Sequence, residues 1–365
     1  MKKLDFAVPF SGFTTTDFIN CFTCVYMHLE NTPLGGVDYD CAKMRGKGCN
    51  SCGNCAKGGS TPAAVQEQFF FLFDTMCGRS ALRCRFDGQP TEWQKRIGET
   101  EEGGCGTDET IEFLFGFAGY DYEKITGNFK NAIIASIDAG KPVIARVKTG
   151  AGRFRVIIGY DRNKLLEPDY KGAQKAPKKP VKYDDIEALY VVGDKIAPRY
   201  TLIDGLKRII KVMEYNQSEK LWQGYIEKIR LHPQPESDLG RCSTEQKKAR
   251  LKRVEQTMWH TFNSHNFAEV FRHYRAYDHI GGMDRLNNPA LKEHIDAIGG
   301  PCHGYTHDLA WALIGLENTA DWKGHVYKTG YFGEMAELTL RQIKKNDVGV
   351  LEAVKQALAI LEGEK

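Results

Sequence analysis

Apolar residues at Phe18, Phe22, Val25, Tyr26 and Leu29 recur at three- and four-residue steps, the spacing of a helix face, and Asp17 stands where an amino-terminal cap is expected. The pattern then breaks, and Pro33 to Thr61, rich in glycine and cysteine, reads as a loop. A helix follows from about Ala63 to Met76, carrying the Phe69-Phe70-Phe71 run. Ser80 to Phe86 predicts a strand, and Gly98 to Thr107 a glycine-rich loop. Phe129 to Ala139 has helical spacing and ends at Gly140, with Pro142 barring continuation. Val143 to Val147 and Phe154 to Tyr160 are apolar, β-rich runs separated by Thr149-Gly150-Ala151-Gly152, which predicts a hairpin. Leu165-Leu166 and Ala188 to Val192 add two short strands, with a lysine-, alanine- and proline-rich solvated loop, Lys171 to Lys182, between them.

From Leu202 onward the period is helical. Leu202 to Tyr215 and Lys220 to Arg230 are amphipathic, and His232-Pro233-Gln234-Pro235 is a break. Ser243 with Gln246 forms a capping box at the head of a long segment reaching about Tyr277. Further helices are expected at about His307 to Leu316, Phe332 to Lys345 and Val348 to Leu361. The aromatic groups Phe69 to Phe73 and Trp259 to Phe271 read as core. The chain of 365 residues therefore divides into a mixed region of α/β (α+β) class over 1–198 and a mainly helical one over 199–365.

Composition narrows the partners. The hydrophobic content of 42% and charged content of 27% are ordinary for a soluble globular protein. A net charge of +3 implies no general attraction to nucleic acid or to a membrane surface. Apolar runs such as Gln68 to Phe73 are too short to span a bilayer. Behind Met1-Lys2-Lys3, Asp5 and Thr14-Thr15-Thr16-Asp17 leave no apolar signal-peptide segment. The expectation is a cytoplasmic protein with no nucleic-acid or membrane partner. Oligomeric state is not legible.

Nine of the eleven cysteines precede residue 106, and an odd total argues against a disulfide framework. Four of them, Cys41, Cys49, Cys52 and Cys55, fall within fifteen residues. Cysteines two residues apart rarely reach disulfide geometry. Their thiolates can instead converge on zinc or an iron–sulfur cluster, with Gly46, Gly48 and Gly53 supplying a permissive backbone. Zinc, iron–sulfur and unligated thiols stay open, as does a fourth ligand from Cys77, Cys84 or Cys105.

A second constellation runs from Ile137 through Gly140-Lys141-Pro142-Val143-Ile144, then Arg153-Phe154-Arg155-Val156-Ile157-Ile158-Gly159-Tyr160-Asp161, then Leu165-Leu166-Glu167-Pro168. Together with a helix-borne Cys21, this order resembles the papain-like cysteine enzymes of the bacteriocin leader peptidase type. It also resembles the amino-terminal domain of the butirosin biosynthesis protein H family, over about residues 5 to 195. The resemblance implies a papain-like fold followed by the helical domain. It also implies a cysteine nucleophile at Cys21 and a small-molecule or peptide-like substrate, such as a small amide or thioester. The chain departs from that pattern at the remaining positions. Arg153 stands where the catalytic histidine belongs, Glu167 where the orienting aspartate belongs, and Thr15 where many relatives keep an oxyanion-hole glutamine.

Arginine stays protonated and cannot relay a proton as imidazole does. Two readings follow. In the first, the protein is a cysteine-dependent acyl hydrolase or acyltransferase, with Arg153 holding Cys21 as a thiolate and Glu167 orienting Arg153. In the second it is a non-catalytic papain-like binding or regulatory protein carrying a cysteine-rich metal knuckle. The plainer expectations are a buried Cys21 and a structural Arg153–Glu167 ion pair. His28 lies two helical turns from Cys21, too far to act as its base. His303 and His307 have the four-residue spacing of helical metal ligands, but Thr306 and Asp308 favour structural histidines at a capped helix start, and Cys302, adjacent to His303, does not read as a nucleophile.

Overall fold

The computed structural model describes residues 1–10, 17–34, 62–85, 89–98, 106–148, 153–170, 179–221, 259–300 and 331–363. Contacts group the chain into two compact units. One comprises Met1–Cys77, Gln94–Asp204 and His273–Asp284, and the other Gly78–Trp93, Gly205–Arg272 and Arg285–Lys365. Segments 78–93 and 273–284 thus side with the unit opposite to their place in the chain.

The first unit is α+β. It opens on β1 (Lys2–Lys3) and α1 (Phe18–Leu29), followed by α2 (Pro62–Met76). After the short α3 (Glu92–Ile97) come α4 (Asp108–Ala118), β2 (Tyr120–Ile125) and α5 (Phe129–Asp138). The hairpin strands β3 (Val143–Val147) and β4 (Phe154–Ile157) precede β5 (Gly159–Asp161), β6 (Lys164–Leu166) and β7 (Ile186–Lys195). Two antiparallel sheets result, one in the order β2-β7-β3-β4 and the other β1-β5-β6.

Register explains the layering. In the larger sheet Val143 lies opposite Ile157 and Ala145 opposite Arg155. Side chains alternate across a strand, so Val143, Ala145, Val147 and Ile157 share one face. There they join Ile133 and Ile137 of α5 in a buried core. On the other face Phe154 and Tyr190 meet Phe18 of α1 edge-on, with ring centroids 5.3 and 5.5 Å apart. The sheet is therefore sandwiched between α1 and α5, and hydrophobic burial on both faces accounts for its apolar runs. Gly159, where the chain passes from the larger sheet to the smaller, accepts no side chain. A Cβ there would strike the Lys2 carbonyl oxygen and come within 2.8 Å of Lys3 Cα.

Among its described residues the second unit is helical. It takes most of α6 (Leu202–Ser218), a helix over 259–272 (α7), α8 (Lys292–Gly299) and α9 (Tyr331–Gly363). Asn216 Nδ2 donates to the Ala81 carbonyl at 2.8 Å, tying α6 to the segment after α2. No helix of the described residues is long and apolar enough to cross a membrane.

Several expectations change. Residues 80–85 form turns and irregular chain, not a strand. The Arg83 guanidinium donates to the carbonyls of Ser80 and Leu82 at 3.1 and 2.8 Å, which folds the segment back on itself. The two carboxy-terminal helices are one, continuous through Asn346 and Asp347, and the Asp347 carboxylate within it pairs with Arg83. The segment toward Tyr277 leaves the α-helix at residue 272 and closes on a 3₁₀ turn, Tyr274–Tyr277. Strand β2, with the polar sequence Tyr-Asp-Tyr-Glu-Lys-Ile, was not expected. Its pairing with β7 supplies what its composition does not.

Candidate functional site

Asp17 caps α1 as its sequence predicts: its side chain accepts from the Asn20 N–H at 2.8 Å, worth about 1 kcal/mol of helix stability. Behind that cap every residue from Phe18 to Met27 is buried. The helix is enclosed on all sides, not amphipathic, and its two cysteines share that enclosure. Cys21 and Cys24 are both fully buried.

Four effects push the acidity of Cys21 down, that is, raise its pKa well above the ordinary thiol range. Burial is the largest, followed by Cys24 and the carboxylate of Asp17. Arg155 pulls the other way, and Glu167 partly cancels it. At neutral pH Cys21 is therefore a thiol. Cys24 is pushed up as well, chiefly by burial, against a hydrogen bond from Gln66. Its sulfur lies 3.6 Å from the Pro9 carbonyl and 3.7 Å from Gln66 Nε2, while Gln66 also donates to Asn20 Oδ1 at 2.6 Å. Gln66 Oε1 is buried with no hydrogen-bond partner among the described residues.

The charged groups of the site pair differently from the sequence expectation. Glu167 is not the partner of Arg153. Its Oε1 lies 3.2 Å from Arg155 Nη1, both side chains being about nine-tenths buried, and its Oε2 accepts from the Val181 N–H at 3.0 Å. Arg153 reaches Glu187 instead, Nη2 to Oε2 at 3.0 Å, and shares that carboxylate with Arg146 at 3.5 Å. The reason is register. Arg155 sits inside β4, where all four residues are buried, so its charge needs a carboxylate within the fold. Arg153 precedes the strand and is more exposed, so it settles in a peripheral pair.

Tyr170 completes the cluster. Its ring stacks at a tilt on Phe10 at 4.7 Å and lies under the Arg155 guanidinium at 5.9 Å, and its hydroxyl accepts from the Val156 N–H at 2.9 Å. Burial, then Cys21 and Glu167, raise the pKa of its phenol far above the usual value. Neither Arg155 nor Tyr170 is a candidate by sequence resemblance. The usable signal was an arginine in the midst of an apolar strand, which demands a buried counter-charge. His28, two turns along α1, stacks on Phe6 at 5.0 Å, and burial lowers its pKa.

Protonated groups held this way make stability depend on alkaline pH. Above pH ~9 unfolded thiols ionise, while Cys21 and Cys24 in the folded chain keep their protons. The unfolded state then binds fewer protons, so stability falls as pH rises, by about 1.4 kcal/mol per unit for each such thiol. Urea unfolding at about pH 8 and about pH 10 measures this. A Cys21→Ala/Cys24→Ala variant should show a shallower fall.

The four cysteines of the proposed knuckle, Cys41, Cys49, Cys52 and Cys55, lie outside the described residues, as do Thr15, Cys302, His303 and His307. Among the described residues no group of three or more histidine, cysteine, aspartate or glutamate side chains is placed to hold a metal ion. No family model matches the chain, and neither does any curated protein or solved structure.

Proposed function

We propose that the first unit is a papain-like scaffold that serves as a binding or regulatory protein, with Cys21 a structural thiol. One observation carries this reading: the Cys21 side chain is fully enclosed and kept protonated. A nucleophilic cysteine must lose its proton to a base and then meet a carbonyl carbon at contact distance. Arg155 supplies positive charge close by, but Glu167 neutralises it, and arginine takes no proton. In this reading the ligand is a small or peptide-like molecule. The segment bearing Cys41, Cys49, Cys52 and Cys55 is an appendage for zinc or an iron–sulfur cluster, and the setting is cytoplasmic.

The second reading, a cysteine-dependent acyl hydrolase or acyltransferase, draws on the downward pull that Arg155 exerts on the Cys21 pKa. Iodoacetamide labelling of the native chain at neutral pH, read residue by residue by mass spectrometry, separates the two. Cys21 is expected to stay unmodified until denaturant is added. Preferential alkylation of Cys21 in the native chain would overturn the binding reading and favour the enzyme.

A further inference from the structure

A different thiol, in the second unit, has the imidazole partner that Cys21 lacks among the described residues. Cys84 follows the buried Arg83 on the irregular segment after α2 and is partly exposed, whereas Cys21, Cys24 and Cys77 are buried. Its sulfur lies 3.3 Å from Nε2 of His260, within reach of a thiol–imidazole hydrogen bond. His260 is fully buried on α7, its ring edge-on to Trp259 at 5.1 Å. Burial first, and the Arg83 charge second, hold this imidazole neutral at physiological pH. A neutral ring with its proton on Nδ1 presents the Nε2 lone pair to the thiol proton. Nearby groups fix the geometry. Arg83 is clamped by Asp347 and by Ser264 Oγ at 3.0 Å, and Ser264 stands one turn beyond His260 on the same helix.

We propose that Cys84 is a thiol–disulfide exchange site that forms mixed disulfides with low-molecular-weight disulfides, with His260 as its proton acceptor. As the Cys84 sulfur attacks one sulfur of the small disulfide, its proton passes to His260 Nε2. The sulfur–sulfur bond breaks, and its electron pair leaves on the second sulfur. That thiolate takes the proton from His260. Cys84 is oxidised to the mixed disulfide, one half of the small disulfide is reduced to a thiol, and His260 returns to its starting state. The buried imidazolium is short-lived, because the desolvation that keeps His260 neutral also drives its proton onward. Partial exposure of Cys84 admits a small disulfide more readily than a protein one.

The test is a time course of the full chain with oxidised glutathione at neutral pH, with adducts mapped by residue. The mixed disulfide at Cys84 is expected to form at least about tenfold faster in the native chain than in the same chain in denaturing urea. His260→Gln, which keeps a polar group of similar reach but cannot accept the thiol proton, is expected to slow the native reaction about tenfold with unchanged circular dichroism. Equal rates at Cys84 in native and denatured chains would overturn the proposal, whether or not the glutamine variant folds. So would a folded glutamine variant that reacts as fast as the parent. Because Cys84 and Cys21 are read separately, this result and the Cys21 labelling stand or fall independently.

Discussion

Replacing Asp347 by asparagine is expected to destabilise the protein by about 3–5 kcal/mol, the scale seen when one partner of a buried ion pair is removed. Arg83 Nε and Nη2 meet the two Asp347 oxygens at 2.9 and 2.7 Å, with the Arg83 side chain 4% exposed and that of Asp347 13%. The remaining guanidinium hydrogens go to Ser80 O, Leu82 O and Ser264 Oγ, so all five donors are used. Asparagine preserves the volume but removes the carboxylate charge that faces both Nε and Nη2 of the buried guanidinium. Lysine at position 83 would not substitute, since a point charge cannot reproduce the planar fork. The double replacement Arg83→Met/Asp347→Leu removes both charges together and is expected to lie within about 2 kcal/mol of the parent. Urea denaturation, compared at constant slope, measures all three. A loss below about 1 kcal/mol for Asp347→Asn would show that the pair is not the internal clamp its geometry describes.

The second large effect separates two arginines two residues apart. Arg155→Met should cost about 3 kcal/mol or more, because it leaves the Glu167 carboxylate nine-tenths buried with the Val181 N–H as its remaining partner among the described residues. Arg153→Met should cost at most about 1 kcal/mol, since its pair with Glu187 is 27% and 42% exposed and therefore screened. Equal losses in the two variants would mean that the Glu167 carboxylate does not depend on Arg155. The order of the two effects also tests the site itself. If Arg153 mattered more, the electrostatic activator expected from resemblance would regain its place.

The hairpin, the capped α1 and α5 were readable because each depends on local spacing. Asp17 precedes a helical run, Gly140 ends one, and a glycine-rich turn separates two β-rich stretches. The enclosure of α1 was not readable. A helix touched on every side looks, from its own residues, like one with a single apolar stripe, and Asn20, Thr23 and Cys21 gave no warning that their face was buried too. Strand β2 escaped notice for the opposite reason, since its polar residues pair through the backbone and carry almost no pattern.

Sequence alone made legible where chain chemistry is concentrated, because residue type and short-range spacing are written directly in it: an arginine-bearing β-rich run leading into Gly159-Tyr160-Asp161, a helix carrying Cys21, and helical periodicity through the second half. Tertiary structure decided which charges meet and which thiol has a base. Glu167 went to Arg155, the arginine buried within the sheet, and the imidazole of His260 came to Cys84 from 176 residues away. Both choices follow from the cost of isolating a charge or polar group from water. That cost depends on depth and neighbours in space, quantities that no spacing along the chain encodes.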